Sequence, residues 1–105
     1  MTDNLLNKNN KESFQIFLEE RTIPDPDELL GRAIKYLINK GKTAQLKGFD
    51  EKTSPIVEID EELYKFDKCF GLWQSAKFTK FKGAFSKDNN EKRKKKIEKF
   101  YNQKI

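Results

Sequence analysis

Residues 25–41 restrict the fold of this chain more than any other segment, because they specify both ends of an amphipathic helix. Asp25 is a favoured N-cap residue, and Pro26 suits the first helical position. Gly41 follows the last apolar residue and is a typical C-terminal stop. The apolar face between them consists of Leu30, Ala33, Ile34, Leu37 and Ile38. The pattern predicts a helix over 25–41.

Other segments also carry apolar residues at intervals of three and four, which is typical of helices. They are Phe14, Phe17 and Leu18; Leu63, Phe66, Phe70 and Trp73; Phe78, Phe81 and Phe85; and Ile97, Phe100 and Tyr101. Two short runs at 43–47 and 56–59 instead favour a two-stranded β-ribbon. The sequence therefore predicts a mainly α, small single-domain helical bundle of about four helices, to which a ribbon at 43–59 is an optional addition.

Charge divides the chain unevenly. Residues 76–105 hold eleven of the 22 basic residues and three acidic ones, a net charge of +8, whereas residues 1–75 carry −3. We expect a helical body with a loose N-terminus at 1–86 and a basic C-terminal helix or tail at 87–105. The block at 92–96 is charged around almost the whole helix circumference, so we expect it to project into solvent or onto an anion.

Several kinds of catalytic site lack their residues. The chain has no histidine and one cysteine, Cys69, which excludes Ser-His-Asp and Cys-His arrangements and the usual zinc sites. The five glycines are scattered and form no phosphate-binding fingerprint. Acidic clusters at 25–28 and 60–62 are better explained as helix N-terminal residues than as acid–base pairs. We expect a protein that is not an enzyme and needs no cofactor.

Lysines and aromatic residues alternate near the C-terminus, a pattern that suits nucleic acid because ammonium groups meet phosphates and rings stack on bases. The candidate phosphate-binding residues are Lys77, Lys80, Lys82, Lys87, Lys92, Arg93, Lys94, Lys95, Lys96 and Lys99. The candidates for base stacking are Phe78, Phe81 and Phe85, whose helical spacing also fits a core. Because only three basic residues are arginines, we expect backbone contacts with little sequence preference.

The leading hypothesis is a small accessory protein that binds DNA or RNA through phosphate contacts. The alternative is a protein-interaction module, such as a regulator or inhibitor from a phage or mobile element or a subunit of an assembly. Its basic segment would dock on an acidic protein or a nucleoprotein. The N-terminal residues do not resemble a signal peptide and no apolar run is long enough to span a membrane, so we expect a cytoplasmic protein without a membrane partner. The apolar pattern fits a monomer core or a homodimer interface equally well.

Overall fold

The computed structural model of the chain describes residues 13–18, 23–69, 74–87 and 90–102. Within them lie two helices, α1 (Pro26–Asn39) and α2 (Glu91–Tyr101). The strands in the same ranges are β1 (Ser13–Phe17), β2 (Ala44–Asp50), β3 (Pro55–Ile59), β4 (Glu62–Cys69), β5 (Ser75–Lys80) and β6 (Phe85–Ser86).

The strands form one antiparallel sheet in the order β1-β5-β4-β3-β2-β6. Strands β2 to β5 follow one another as a meander, and α1 carries the chain from β1 at one edge toward β2 near the other. Asp60 and Glu61 join β3 to β4 with positive φ angles of 50° and 75°, the conformation that favours two-residue hairpins. The Asp50 carboxylate closes the β2–β3 turn by accepting the Lys52 and Ser54 amides at 2.9 and 2.8 Å.

The main core lies between the two helices and one face of the sheet. Phe78 of β5 lies opposite Phe14 of β1 and Phe66 of β4, with ring centroids 5.4 and 5.8 Å away. Since alternate residues of a strand point to the same face, this row marks the helix side of the sheet. The helices bury Leu29, Leu30, Ala33, Ile34, Leu37 and Ile97 in the same cluster.

The opposite face of the sheet, called here the open face, is partly covered by the segment 81–87. The chain leaves β5 beside β4 and returns as β6 beside β2, so the segment crosses β4 and β3. The Phe81 amide donates to the Leu63 carbonyl at 2.9 Å, which extends the β5–β4 register and puts both side chains on the open face. Ile56 is fully buried but lies outside the helix-side cluster that holds its neighbour Val57. We infer that this segment buries Ile56.

Gly48 is required where the segment 81–87 passes β2. A Cβ atom at this position would overlap the carbonyl group of Ser86 and lie 3.1 Å from the Cα of Lys87. The strand also carries a register shift between Leu46 and Gly48, opposite β3. A bulge of this kind bends a strand locally, and here it makes room for the returning chain.

The predicted helical bundle is wrong, and the chain is not an all-α protein: its described residues form a six-stranded antiparallel sheet with two helices. The helix at 25–41 is confirmed as α1, with Asp25 as its N-cap and Gly41 in the left-handed region at φ 91°. The ribbon at 43–59 is confirmed as β2 and β3, within the larger sheet. The helix predicted around Ile97, Phe100 and Tyr101 is confirmed as α2.

Three segments that were predicted to be helices are strands. The segment around Phe14 is β1, the one around Leu63 is β4 and the one around Phe78 is β5. Asp60 and Glu61 form a hairpin turn there, not the start of a helix. The described residues do not include Phe70 and Trp73, which were predicted to be helical, or the N-terminal segment that was predicted to be loose.

Candidate nucleic-acid interface

The basic helix α2 is docked on the body of the protein. Ile97 is fully buried and Tyr101 nearly so. The Leu46 amide of β2 donates to the Tyr101 hydroxyl at 3.1 Å. Strand β6 pairs with only the last residues of β2, Phe49 and Asp50. The Leu46 amide lies on the same edge of β2 beyond this pairing, and the Tyr101 hydroxyl is its hydrogen-bond acceptor. The Tyr101 pKa is raised, chiefly by burial.

Two of the candidate cations form ion pairs with the start of α1. Arg93 donates from Nε to Asp27 Oδ1 at 2.9 Å and from Nη1 to the Thr53 carbonyl at 2.9 Å. Its guanidinium also lies 4.8 Å from the centroid of the Phe49 ring. This side chain is 31% exposed and that of Asp27 is 13% exposed, so the pair is shielded from solvent better than an ordinary surface pair.

Lys96 joins the same acidic helix start. Its Nζ lies 2.7 Å from Asp25 Oδ2 and 3.7 Å from Asp27 Oδ2. Chiefly because of the hydrogen bond between them, the pKa of Asp25 is lowered and the pKa of Lys96 is raised. Asp25 also caps α1 by accepting the Asp27 amide at 3.0 Å. The expectation that the whole 92–96 block projects outward therefore needs correction, because the anion that Arg93 and Lys96 meet belongs to the chain itself.

The outer side of α2 carries a line of exposed lysines, Lys92, Lys95 and Lys99, which we call the α2 stripe. Their spacing of three and four residues places them on one side of the helix, opposite the buried Ile97. None of the three forms an ion pair within the described part of the chain. Lys94 is half-buried and lies on the side of the helix that carries Ile97 and Tyr101, away from the stripe. The stripe is thus a row of solvated cations held in place by the contacts on the other side of the same helix.

The remaining candidate lysines lie away from the α2 stripe. Lys80 pairs with Glu62 of the neighbouring strand at 3.0 Å. Lys77 lies on the open face, opposite Asp67 in the β5–β4 register. Lys82 and Lys87 are exposed in the segment 81–87. The ten predicted cations therefore do not form one surface but are divided between the two sides of the sheet.

The three candidate stacking rings also separate. Phe78 is fully buried in the main core, beside Phe14 and Phe66. Phe81 and Phe85 are half-buried in the crossing segment and contact each other edge to face, with centroids 6.3 Å apart. Only the last two can present part of a ring to a ligand in this conformation.

The open face holds residues that the sequence interpretation missed. Phe17 is 51% exposed. Lys65 of β4 lies opposite Ile56, and Lys47 lies at the bulge of β2 with its Nζ 4.0 Å from Glu58 Oε1. In a strand, successive side chains point to opposite faces, and this alternation is the signal that could have identified these residues. The signal is lost when the same segments are interpreted as helices.

No family model, no curated protein and no solved structure matches this chain in the comparisons with known proteins. Neither described helix is long and apolar enough to cross a membrane. Among the described residues, no group of three or more His, Cys, Asp or Glu side chains is arranged to hold a metal ion.

Proposed function

We propose that this protein is a small, non-catalytic, cytoplasmic accessory protein that binds nucleic acid through phosphate contacts from α2. The observation that carries the proposal is the α2 stripe, three exposed lysines in one line on a helix that packing holds in place. Fixed lysines lose less conformational freedom on binding than lysines of an unstructured tail, which favours affinity. The ion pairs of Arg93 and Lys96 with the start of α1 support this by holding α2 against α1.

The expected binding is directed at the backbone of the nucleic acid. Each lysine meets a phosphate as a point charge and does not read base edges as an arginine fork does. If the three stripe lysines each neutralise one phosphate of a duplex, the slope of log affinity against log salt is about −2.7. Raising salt from about 50 to 200 mM then weakens binding about 40-fold.

The test is fluorescence anisotropy of labelled single- and double-stranded DNA and RNA, titrated with the full chain at several salt concentrations. We expect Lys95→Gln/Lys99→Gln to reduce the salt slope by about 1.8, since each lysine accounts for roughly 0.9. The matched control is Lys40→Gln/Lys42→Gln, which removes the same charge at the other end of α1 and should leave the slope nearly unchanged. Equal losses in the two variants would mean that net charge alone, and not α2, determines binding.

An acidic protein or a nucleoprotein remains the alternative partner for the same helix. An apolar protein interface responds weakly to salt, whereas phosphate contacts give the linear dependence described above. If no oligonucleotide binds at low salt, the nucleic-acid proposal is refuted for this chain. Capture of a protein that is lost in Lys95→Gln/Lys99→Gln but retained in the control would then identify the alternative.

A further inference from the structure

We infer that the open face of the sheet binds unpaired bases, so that the ligand class is single-stranded nucleic acid; this inference rests on the proposed function. Three rings are available there. Phe17 lies at one end of the face with half of its surface exposed, and Phe81 and Phe85 lie at the other as a half-buried pair. Every base has a π-face, so rings of this kind bind bases with little regard to sequence.

The length of β5 sets the distance between Phe17 and Phe81, the two aromatic ends of the open face. Phe17 lies opposite Ser75 at the start of this strand, and Phe81 continues the strand one residue beyond its end at Lys80. Phe81 follows Ser75 by six positions of extended chain, which corresponds to about 20 Å. The face can therefore hold several nucleotides, within the range of about 4–16 found for other single-strand-binding sheets.

The charge of the open face complements a phosphate backbone. Lys65 and Lys77 lie between the two aromatic ends, on neighbouring strands, and Lys47 lies on the bulged part of β2. The segment 81–87 adds the exposed Lys82 and Lys87. The acidic side chains among the described strand residues of this face are Asp50, Glu58 and Asp67, and the Asp50 carboxylate is engaged in the β2–β3 turn. With Lys82 and Lys87 included, the cations of the open face outnumber its anions. An acidic protein would also meet these lysines, but it would have no bases for the rings to stack on.

A duplex does not suit the same surface. Its bases are paired and stacked inside the helix, and a ring reaches them only if a base is unstacked at a cost of a few kcal/mol. The open face and the α2 stripe lie on opposite sides of the sheet, so the two sets of contacts are separable by mutation. The stripe meets phosphates in either form of nucleic acid, whereas the rings distinguish a single strand from a duplex.

The experiment compares four labelled ligands of about 16 nucleotides at one salt concentration: oligothymidine, oligouridine, an abasic strand with the same backbone, and a duplex. We expect the full chain to bind at least one base-bearing single strand at least about fivefold more tightly than the abasic strand, as one stacked base requires. The two base-bearing strands separate DNA from RNA, and base-dependent binding of either supports the inference.

The decisive variant is Phe81→Leu/Phe85→Leu, which keeps apolar cover over Ile56 but removes the rings. We expect it to lose at least about fivefold affinity for the base-bearing strand and none for the abasic strand. The matched control is Tyr36→Leu, which removes an exposed ring from α1 on the other side of the sheet and should change neither affinity. If the double variant does not fold, Phe17→Leu tests the other aromatic end without touching Ile56.

The outcomes separate the two proposals. If the wild type binds base-bearing and abasic strands with equal affinity, the open face does not bind bases. Phosphate binding by α2 is then unaffected. Loss of affinity for the abasic strand in Phe81→Leu/Phe85→Leu also overturns base binding by the open face, because the rings then act only on the fold or on the backbone contacts. No binding of any of the four ligands at low salt overturns the proposed function together with this inference.

Discussion

Replacing Gly31 with alanine should destabilise the protein, although the same change in an ordinary helix stabilises it. Gly31 lies in the middle of α1 where α2 crosses it. A Cβ atom there would overlap the Cβ of Phe100, and it would lie 3.0 Å from the Ile97 carbonyl oxygen and 3.1 Å from the Phe100 Cγ. The Ile97 oxygen belongs to the backbone of α2, and the Phe100 Cβ and Cγ are the first atoms of that side chain. None of the three can rotate away from the added methyl group. The two helices must separate to admit the methyl group.

The size of the effect follows from two opposed contributions to the free energy of unfolding. Alanine in place of glycine within a helix raises the free energy of unfolding by about 0.8–1.0 kcal/mol. Overpacking a closed contact costs about 1–3 kcal/mol. The net expectation is a loss of about 1 kcal/mol, together with weaker Arg93–Asp27 and Lys96–Asp25 pairs, which bridge the same two helices.

Urea unfolding followed by circular dichroism measures this loss. With a slope of about 1–2 kcal/mol per molar urea, Gly31→Ala should lower the midpoint by about 0.5–1 M. Lys35→Ala is the control in the same helix, and as a surface change it should stay within about 0.5 kcal/mol of wild type. A midpoint for Gly31→Ala equal to or above that of wild type would refute the reasoning, because it would mean that α1 and α2 have space between them.

Three further predictions concern single contacts. Tyr101→Phe leaves the Leu46 amide without its acceptor, so we expect a loss of about 1–3 kcal/mol and faster hydrogen exchange at that amide; unchanged exchange would contradict the bond. The pKa of Asp25 is lowered by the hydrogen bond from Lys96, so its stabilisation is present above the ordinary value of 3.8 and is lost as pH falls below it. Urea midpoints in that acidic range should therefore drop less steeply in Lys96→Gln than in wild type, and parallel curves would argue against the pair. Glu61→Gly should raise the thermal midpoint by roughly 4 °C, because Glu61 holds a φ of 75° that glycine adopts without strain; a lower midpoint would show that the side chain compensates for the strain.

The sequence predicts α1 well because its signals are local. The Asp25 cap, Pro26 and Gly41 each act on the backbone within a turn of their own position, and the structure keeps all three roles. The β2–β3 ribbon is predictable for a similar reason, since Ile56 and Val57 favour strands and a polar turn separates the two runs. These parts of the fold need no knowledge of distant residues.

Strands β4 and β5 were not predictable by periodicity, because their two faces are both partly covered. In β4, Phe66 points to the helices, whereas Leu63 points to the open face beside Phe81. Apolar residues three apart thus lie on opposite sides of a strand, although the same spacing places them together on a helix. The cover on the open face comes from the segment 81–87, whose position depends on the whole sheet.

The candidate site was predictable in its charge but not in its arrangement. The excess of lysine after residue 76 is plain in the sequence. That Arg93 and Lys96 bind the start of α1 depends on how α1 and α2 pack, more than sixty residues apart in the chain. Phe78 and Phe81 likewise separate into core and surface once their segment is known to be extended.

The place of β1 in the sheet has a consequence for the way the chain is made. Its partner is β5, and the paired residues are 58 to 66 positions apart. During synthesis, β1 cannot pair with β5 until about eighty residues exist, and until then α1 has no complete sheet to cover. Contacts of such long sequence separation form slowly, because the intervening chain must close first. Strand β1 is made before β5 by almost sixty residues and is therefore among the last of the described strands to take its place in the sheet.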